Sequence, residues 1–274
     1  LDFNDAKAIM ETQDINSLGI LSSSVKEKMH GKKVYFVVNR HINPSNVCAI
    51  SCKFCAFGKP KGHSDAYEMS MEKVLSLVSN ELKEIHIVGG LHPDWKFEKY
   101  LEIIREVSKA APDAHIKAFT AVEIDWFSQI SGKSVSKVIS DLMNAGVDAL
   151  PGGGAEIFSP EVRKKICTPK TTGDSWLEIH REAHKQGLPS NATILYGHLE
   201  SYDDVIDHVS RLRDLQDDTN GFFAFIPVLF QPFNTRLSKV KPFPFSYDLK
   251  IHSLARLYLD LSLIHISEPT RPLE

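Results

Sequence analysis

The chain has 274 residues, 42% of them hydrophobic and 24% charged, with a formal net charge of -3. This is ordinary globular composition, ample for one large domain, and a chain this long buries about three quarters of its unfolded surface. A pI near 6.5 gives no bulk electrostatic basis for nucleic acid or an anionic membrane, and no run approaches the ~20 apolar residues that span a bilayer. A cytoplasmic protein without nucleic-acid or membrane partners is expected. The opening Leu1 in place of Met suggests a fragment.

Residues 5 to 30 read as helical, with Ala8, Ile9, Ile15, Leu18 and Leu21 apolar and Gly31 as the stop; residues 1–32 are expected to form a helical leader. Val34 to Val38 is a short, fully apolar run of the kind that makes a buried parallel strand. Ser70 can cap a helix carrying Met71, Val74, Leu75 and Val78 at helical spacing. A strand from Glu84 to Val88 ends at Gly89-Gly90. Tyr100, Leu101, Ile104 and Val107 mark a helix, and His115 to Ala121 a strand.

The alternation continues. Val135, Val138, Ile139 and Leu142 lie on a helix stopped by Gly146, and Asp148-Ala149-Leu150 leads into Gly152-Gly153-Gly154. Trp176 to Gln186 is helical, Asn191 to Tyr196 a strand, Val205 to Leu212 a helix and Phe222 to Phe230 a sixth strand. Strands alternating with helices at this spacing predict parallel strands and right-handed crossovers, hence a TIM-barrel-like β/α barrel, here over residues 33–260. A doubly wound sheet is the alternative. Glycines and polar residues gather just after the strands: Gly89 to His92, Glu123, Gly152 to Glu156, and Gly197-His198. That is the end at which barrels carry their chemistry.

Three of the four cysteines, Cys48, Cys52 and Cys55, stand as Cys-x3-Cys-x2-Cys on the loop after the first strand, with Phe54 directly before the last. Three thiolates on one short loop can hold three corners of a 4Fe-4S cluster and leave the fourth iron open. A zinc site wants a fourth protein ligand, for which His63 is available. The spacing resembles the signature of radical S-adenosylmethionine enzymes, in which an electron cleaves the cofactor to a 5′-deoxyadenosyl radical.

The resemblance narrows over Asn39 to Asn43, the cysteine loop, Lys117 to Glu123, Pro151 to Phe158 and Ser190 to His198, which together are similar to the aminodeoxyfutalosine synthases of menaquinone biosynthesis. It implies addition of the deoxyadenosyl radical to 3-[(1-carboxyvinyl)oxy]benzoate, giving 6-amino-6-deoxyfutalosine. S-adenosylmethionine is consumed as a co-substrate, and an electron donor such as flavodoxin or ferredoxin is required. By the same resemblance, Cys48, Cys52 and Cys55 bind the cluster, Phe54 packs beside the adenine or the cluster, and Gly89 and Gly90 meet the methionyl ammonium. Glu156 is expected at the ribose hydroxyls and Lys170 at the cofactor carboxylate. His92, Asn191, Thr193, His198 and Arg236 are expected, by position, to orient the small-molecule substrate; no acid or base is assigned.

His180 and His184, four apart, read as helix-surface residues, and Cys167 as a small buried one. Residues 261–274 depart from the family pattern and look like translated adapter sequence, which predicts a barrel lacking its last strands, with a bare edge on the sixth. Dehypoxanthine futalosine cyclase, which shares the cysteine loop and has an echo in Phe230-Gln231-Pro232, is the alternative within the superfamily. A zinc-stabilised binding protein is the alternative outside catalysis.

Overall fold

The computed structural model describes residues 1–264 except 169, 242, 260 and 262. In chain order the elements are α1 (Phe3–Glu11), α2 (Ile15–His30), β1 (Asn39–Ile42), α3 (Met71–Leu75), β2 (Glu84–Ile87), α4 (Phe97–Ala110), β3 (His115–Ala118), α5 (Ala121–Ser131), α6 (Val135–Ala145), α7 (Pro160–Ile166), α8 (Gly173–Lys185), β4 (Ser190–Tyr196), α9 (Tyr202–Thr219), β5 (Phe222–Leu229), α10 (Phe245–Tyr258) and β6 (Leu263–Ile264). Strands β1, β2 and β3 pair in parallel, as do β4, β5 and β6. Isolated bridges Lys117 to Ala149 and Leu150 to Ser190 stitch the two sheets into one curved wall. The result is an incomplete β/α barrel.

Each strand of the first half is amphipathic in its own way. Ile85, Ile87, Ile116 and Ala118 face the helices and join their core. Glu84, His86 and Val88 share the opposite, inner face, as the period of two requires. Helix starts follow side-chain caps: Ser70, Thr120, Ser134, Thr172 and Ser201 each accept a backbone N–H from the first turn. Gly31, at φ 59°, closes α2 where a side chain would be strained.

Several expectations are corrected. The run from Val34 to Val38 is not a buried strand: Phe36 is 91% exposed, and β1 begins only at Asn39, because β2 starts at Glu84 and, among the described residues, no strand lies beside the earlier ones. The leader is two helices, broken where Asp14 caps the second through the Ser17 N–H. The helix after Ser70 ends at Leu75, short of Val78. The strand after His115 stops at Ala118, since Phe119 turns to φ 62° and Thr120 caps α5. Asp148 to Leu150 contributes bridges rather than a full strand. The edge of β5 is not bare, because Ala224 and Phe225 pair with Leu263 and Ile264. Of the segment expected to be foreign, residues 265–274 lie outside the described residues.

Candidate active site

The cysteine loop is clamped to the barrel by backbone groups on all sides. Cys48 N–H donates to Lys59 O at 2.8 Å, Ala49 N–H to Leu91 O at 2.8 Å and Lys53 N–H to Ile166 O at 2.7 Å. Asn46 binds the backbone of the returning loop, donating to Asp65 O at 2.8 Å and accepting from Tyr67 N–H at 2.7 Å. The backbone N–H of Arg236 reaches Lys53 O at 2.9 Å, and its guanidinium donates to Ser51 O. A loop without regular structure is thereby fixed in place.

The three thiols line a cavity of about 510 Å³, together with Phe54, Gly89, Gly90, Glu123 and Lys170. That volume is within the range of about 300–1,000 Å³ that small-ligand sites occupy. Gly58 allows the crowding: a Cβ there would stand 3.2 Å from Cys48 Cβ and 3.8 Å from the sulfurs of both Cys48 and Cys55. Gly90 is tighter still, since its Cβ would fall 2.1 Å from Val47 O. Burial, opposed by the Lys170 ammonium, pushes the Cys52 thiol up to about 12. A metal would have to displace that proton. Three soft thiols lining one cavity, with bare glycine backbone at Gly89 and Gly90 on the same cavity, fit an iron-sulfur cluster with an open iron. Among the described residues no group of three His, Cys, Asp or Glu is arranged around a single metal ion.

Glu123 is the residue that sequence reasoning placed at the right end of the barrel but gave no role. Its carboxylate accepts from Gly89 N–H at 2.9 Å, Thr120 N–H at 2.8 Å and Thr120 Oγ1–H at 2.9 Å. Burial nevertheless pushes it up to about 7, against those donors and the pull of Lys170. The available signal was Thr120-x2-Glu123, a capping box at a strand end. Arg163 was missed altogether. It is buried in α7 and donates to Ala155 O at 2.6 Å and Ile157 O at 3.1 Å, fixing the triple-glycine loop.

The other expected residues divide. Lys170 pairs with Glu156 and stands 5.2 Å from the Phe54 ring centroid. Burial alone would depress Lys170, yet Glu156 and the nearby thiols hold its pKa above the ordinary lysine value. Arg236 is at the cavity rim. His92 is not on the cavity wall: it stacks on Trp95 at 4.7 Å with Nε2 3.1 Å from Glu68. His198 is also turned away, with Nδ1 3.0 Å from Glu200 and Nε2 2.9 Å from Leu195 O. Thr193 donates to Gly152 O at 2.6 Å, while Asn191 Oδ1 is buried without a partner among the described residues. His180 and His184 are not on a helix surface: both ring systems bond Ser190 Oγ at 2.8 Å, at the start of β4. Cys167 is buried, as expected.

A family model described as Radical SAM superfamily matches residues 42–212. The chain belongs to the radical SAM superfamily. It is therefore an enzyme. It is 42% identical over 268 residues to an aminodeoxyfutalosine synthase of Thermus thermophilus, covering 95% of this chain and 72% of that protein. It is 41% identical to a 5-amino-6-(D-ribitylamino)uracil–L-tyrosine 4-hydroxyphenyl transferase of Methanopyrus kandleri, over 84% of this chain and 65% of that one. A cyclic dehypoxanthine futalosine synthase of Halalkalibacterium halodurans is 32% identical, with 95% and 72% covered. The radical SAM chain thus spans 65% to 72% of the length of these relatives. The fold is that of HydG, a maturase of the [FeFe]-hydrogenase, at a TM-score of 0.78 with 14% identity, covering 99% of this chain and 61% of that one. No helix among the described residues is long and apolar enough to cross a membrane.

Proposed function

We propose that the chain is the core of an aminodeoxyfutalosine synthase, which adds a 5′-deoxyadenosyl radical to 3-[(1-carboxyvinyl)oxy]benzoate on the way to 6-amino-6-deoxyfutalosine. The observation that carries this reading is the convergence of Cys48, Cys52 and Cys55 with Gly89 and Gly90 on one cavity, in a chain 42% identical to such a synthase. When bound, the 4Fe-4S cluster and S-adenosylmethionine supply the radical, on delivery of an electron from a carrier such as flavodoxin or ferredoxin.

The chain's own residues bind, orient and exclude water. The three cysteines hold the cluster. Gly89 and Gly90 offer bare backbone to the cofactor's amino end, Lys170 stands ready for its carboxylate, and Glu156 and Phe54 flank its nucleoside. The barrel wall keeps water and stray hydrogen donors from a primary carbon radical. Asn191 and Thr193 on β4 and Arg236 at the rim are assigned to the substrate.

Anaerobic reconstitution with iron and sulfide tests the proposal. Roughly four of each per chain are expected, dependent on all three cysteines, followed by reductive cleavage of S-adenosylmethionine and formation of aminodeoxyfutalosine from the enol ether. Turnover of dehypoxanthine futalosine instead would assign the cyclase reaction. Zinc in place of iron, with the cofactor left intact, would return the chain to a binding protein.

A further inference from the structure

The two oxygens of the Glu123 carboxylate are not equally bound. Thr120 gives both its backbone N–H and its hydroxyl to Oε2, at 2.8 and 2.9 Å, whereas Oε1 accepts the Gly89 N–H alone, at 2.9 Å. A carboxylate has about four lone-pair sites, so one remains, on the oxygen beside Gly89. Gly89 and Glu123 both line the cysteine cavity. The same cavity is lined by three cationic residues, Lys59, Lys170 and Arg236, and among the described residues by no second carboxylate.

The turn next to that oxygen has used up its donors. The Gly89 N–H goes to Glu123, and the Gly90 N–H goes to Ser45 O at 2.9 Å. Among the described residues no hydrogen bond reaches Gly89 O or Gly90 O. The two glycines therefore have carbonyl oxygens to offer and no N–H left, beside the one carboxylate of the cavity. Glu123 is 3% exposed, and burial holds it at about 7 despite its three bonds, so a further donor on Oε1 would draw it to the ionised form. Acceptors of this kind repel an anion and suit a group that carries several hydrogens, which a primary amine does.

We propose that Glu123 receives the amino group of the bound cofactor through Oε1, and so selects an amino-acid-bearing nucleoside over its deaminated counterpart. The Gly89 N–H holds that oxygen in place, and Lys170 is left for the carboxylate. The assignment rests on the proposed function for the identity of the cofactor as S-adenosylmethionine. It makes Glu123 a binding residue as well as part of the cap of α5.

Anaerobic calorimetric titration of the cluster-loaded protein tests it, with S-adenosylmethionine and with its desamino counterpart, in which hydrogen replaces the amino group. The unmutated protein is expected to bind S-adenosylmethionine roughly tenfold or more tightly than the desamino compound. Glu123→Gln keeps an amide oxygen for the Gly89 N–H and removes the charge. It is expected to weaken S-adenosylmethionine about tenfold and to leave the desamino compound within about twofold of its unmutated affinity. Equal loss of both ligands, the mark of a merely distorted wall, would overturn the proposal, as would full affinity for both. Equal binding of the two ligands by the unmutated protein would overturn it even where the variant fails to fold. Failure of the functional reading is separable: selective loss of S-adenosylmethionine without aminodeoxyfutalosine formation in the unmutated protein removes the reaction and keeps the site, whereas product formation with no such selectivity does the reverse.

Discussion

Gly89 donates its backbone N–H to the Glu123 carboxylate across 2.9 Å, tying the turn after β2 to the first turn of α5. Two residues 34 positions apart thus set the floor of the cysteine cavity. Gly89 and Glu123 both line that cavity, so the carboxylate holds a stretch of its backbone wall.

Glu123→Ala removes the acceptor for two backbone N–H groups and a hydroxyl. A loss of about 2–3 kcal/mol in urea unfolding is expected at pH 5. The carboxyl is raised from its ordinary 4.5 to about 7, so the folded state binds its proton more tightly than the unfolded one. Its ionisation in the unfolded chain therefore erodes stability as pH climbs from 4.5 towards 7. The gap between wild type and variant should narrow across that window and level off above it.

Gly90→Ala places a methyl against backbone, 2.1 Å from Val47 O, where no rotamer change can relieve it. Destabilisation by about 3 kcal/mol or more is expected. Because Val47 adjoins Cys48, iron retained after reconstitution should fall as well. A variant with wild-type melting and full iron content would show that the loop yields freely.

Glu156 and Lys170 form a buried pair beside the thiols. Removing either partner leaves a charge in a poor solvent, at a cost of about 3–5 kcal/mol, while replacing both by apolar residues of similar size is expected to cost much less. A double-mutant cycle with Glu156→Leu and Lys170→Met, read by chemical denaturation, measures the coupling. Additive losses would mean that the two side chains act independently.

Stability on the acid side draws on two histidines of α8, His180 and His184, which bond Ser190 at the start of β4. Burial pushes His184 down to about 4 and His180 well below its ordinary value. The unfolded chain takes up protons that the folded chain refuses, so this contribution is complete above pH 6.5 and is lost as pH falls towards 4. His184 alone accounts for up to about 3 kcal/mol. His184→Gln should flatten the stability profile between pH 6.5 and 4 relative to wild type, as followed by tryptophan fluorescence.

The cysteine spacing, the glycine pairs and the strand and helix alternation were legible because each is local: a metal loop, a turn and a period of 2 or 3.6 leave their marks on neighbouring residues. The run from Val34 to Val38 misled for the same reason. Its composition is that of a buried strand, yet burial depends on a neighbouring strand that β2 is too short to supply. His92 and His198 also sat at the expected end of the barrel, but Trp95 with Glu68 and Leu195 with Glu200 took up their rings. Helices α5, α7 and α10 escaped notice because their apolar residues do not keep one clean face.

By itself the sequence determined the chemistry available to this protein: three thiols in eight residues, backbone left bare at Gly89 and Gly90, and a parallel-strand architecture that gathers loop residues at one end. Tertiary structure decided which distant groups meet. Glu123 reaches Gly89, Lys170 meets Glu156, and Lys117 meets Glu84 and the Phe223 ring, although they come from strands far apart in the chain. Side-chain pairing across a sheet depends on register and on which face each residue presents, and both are fixed only when the whole wall has closed around its core.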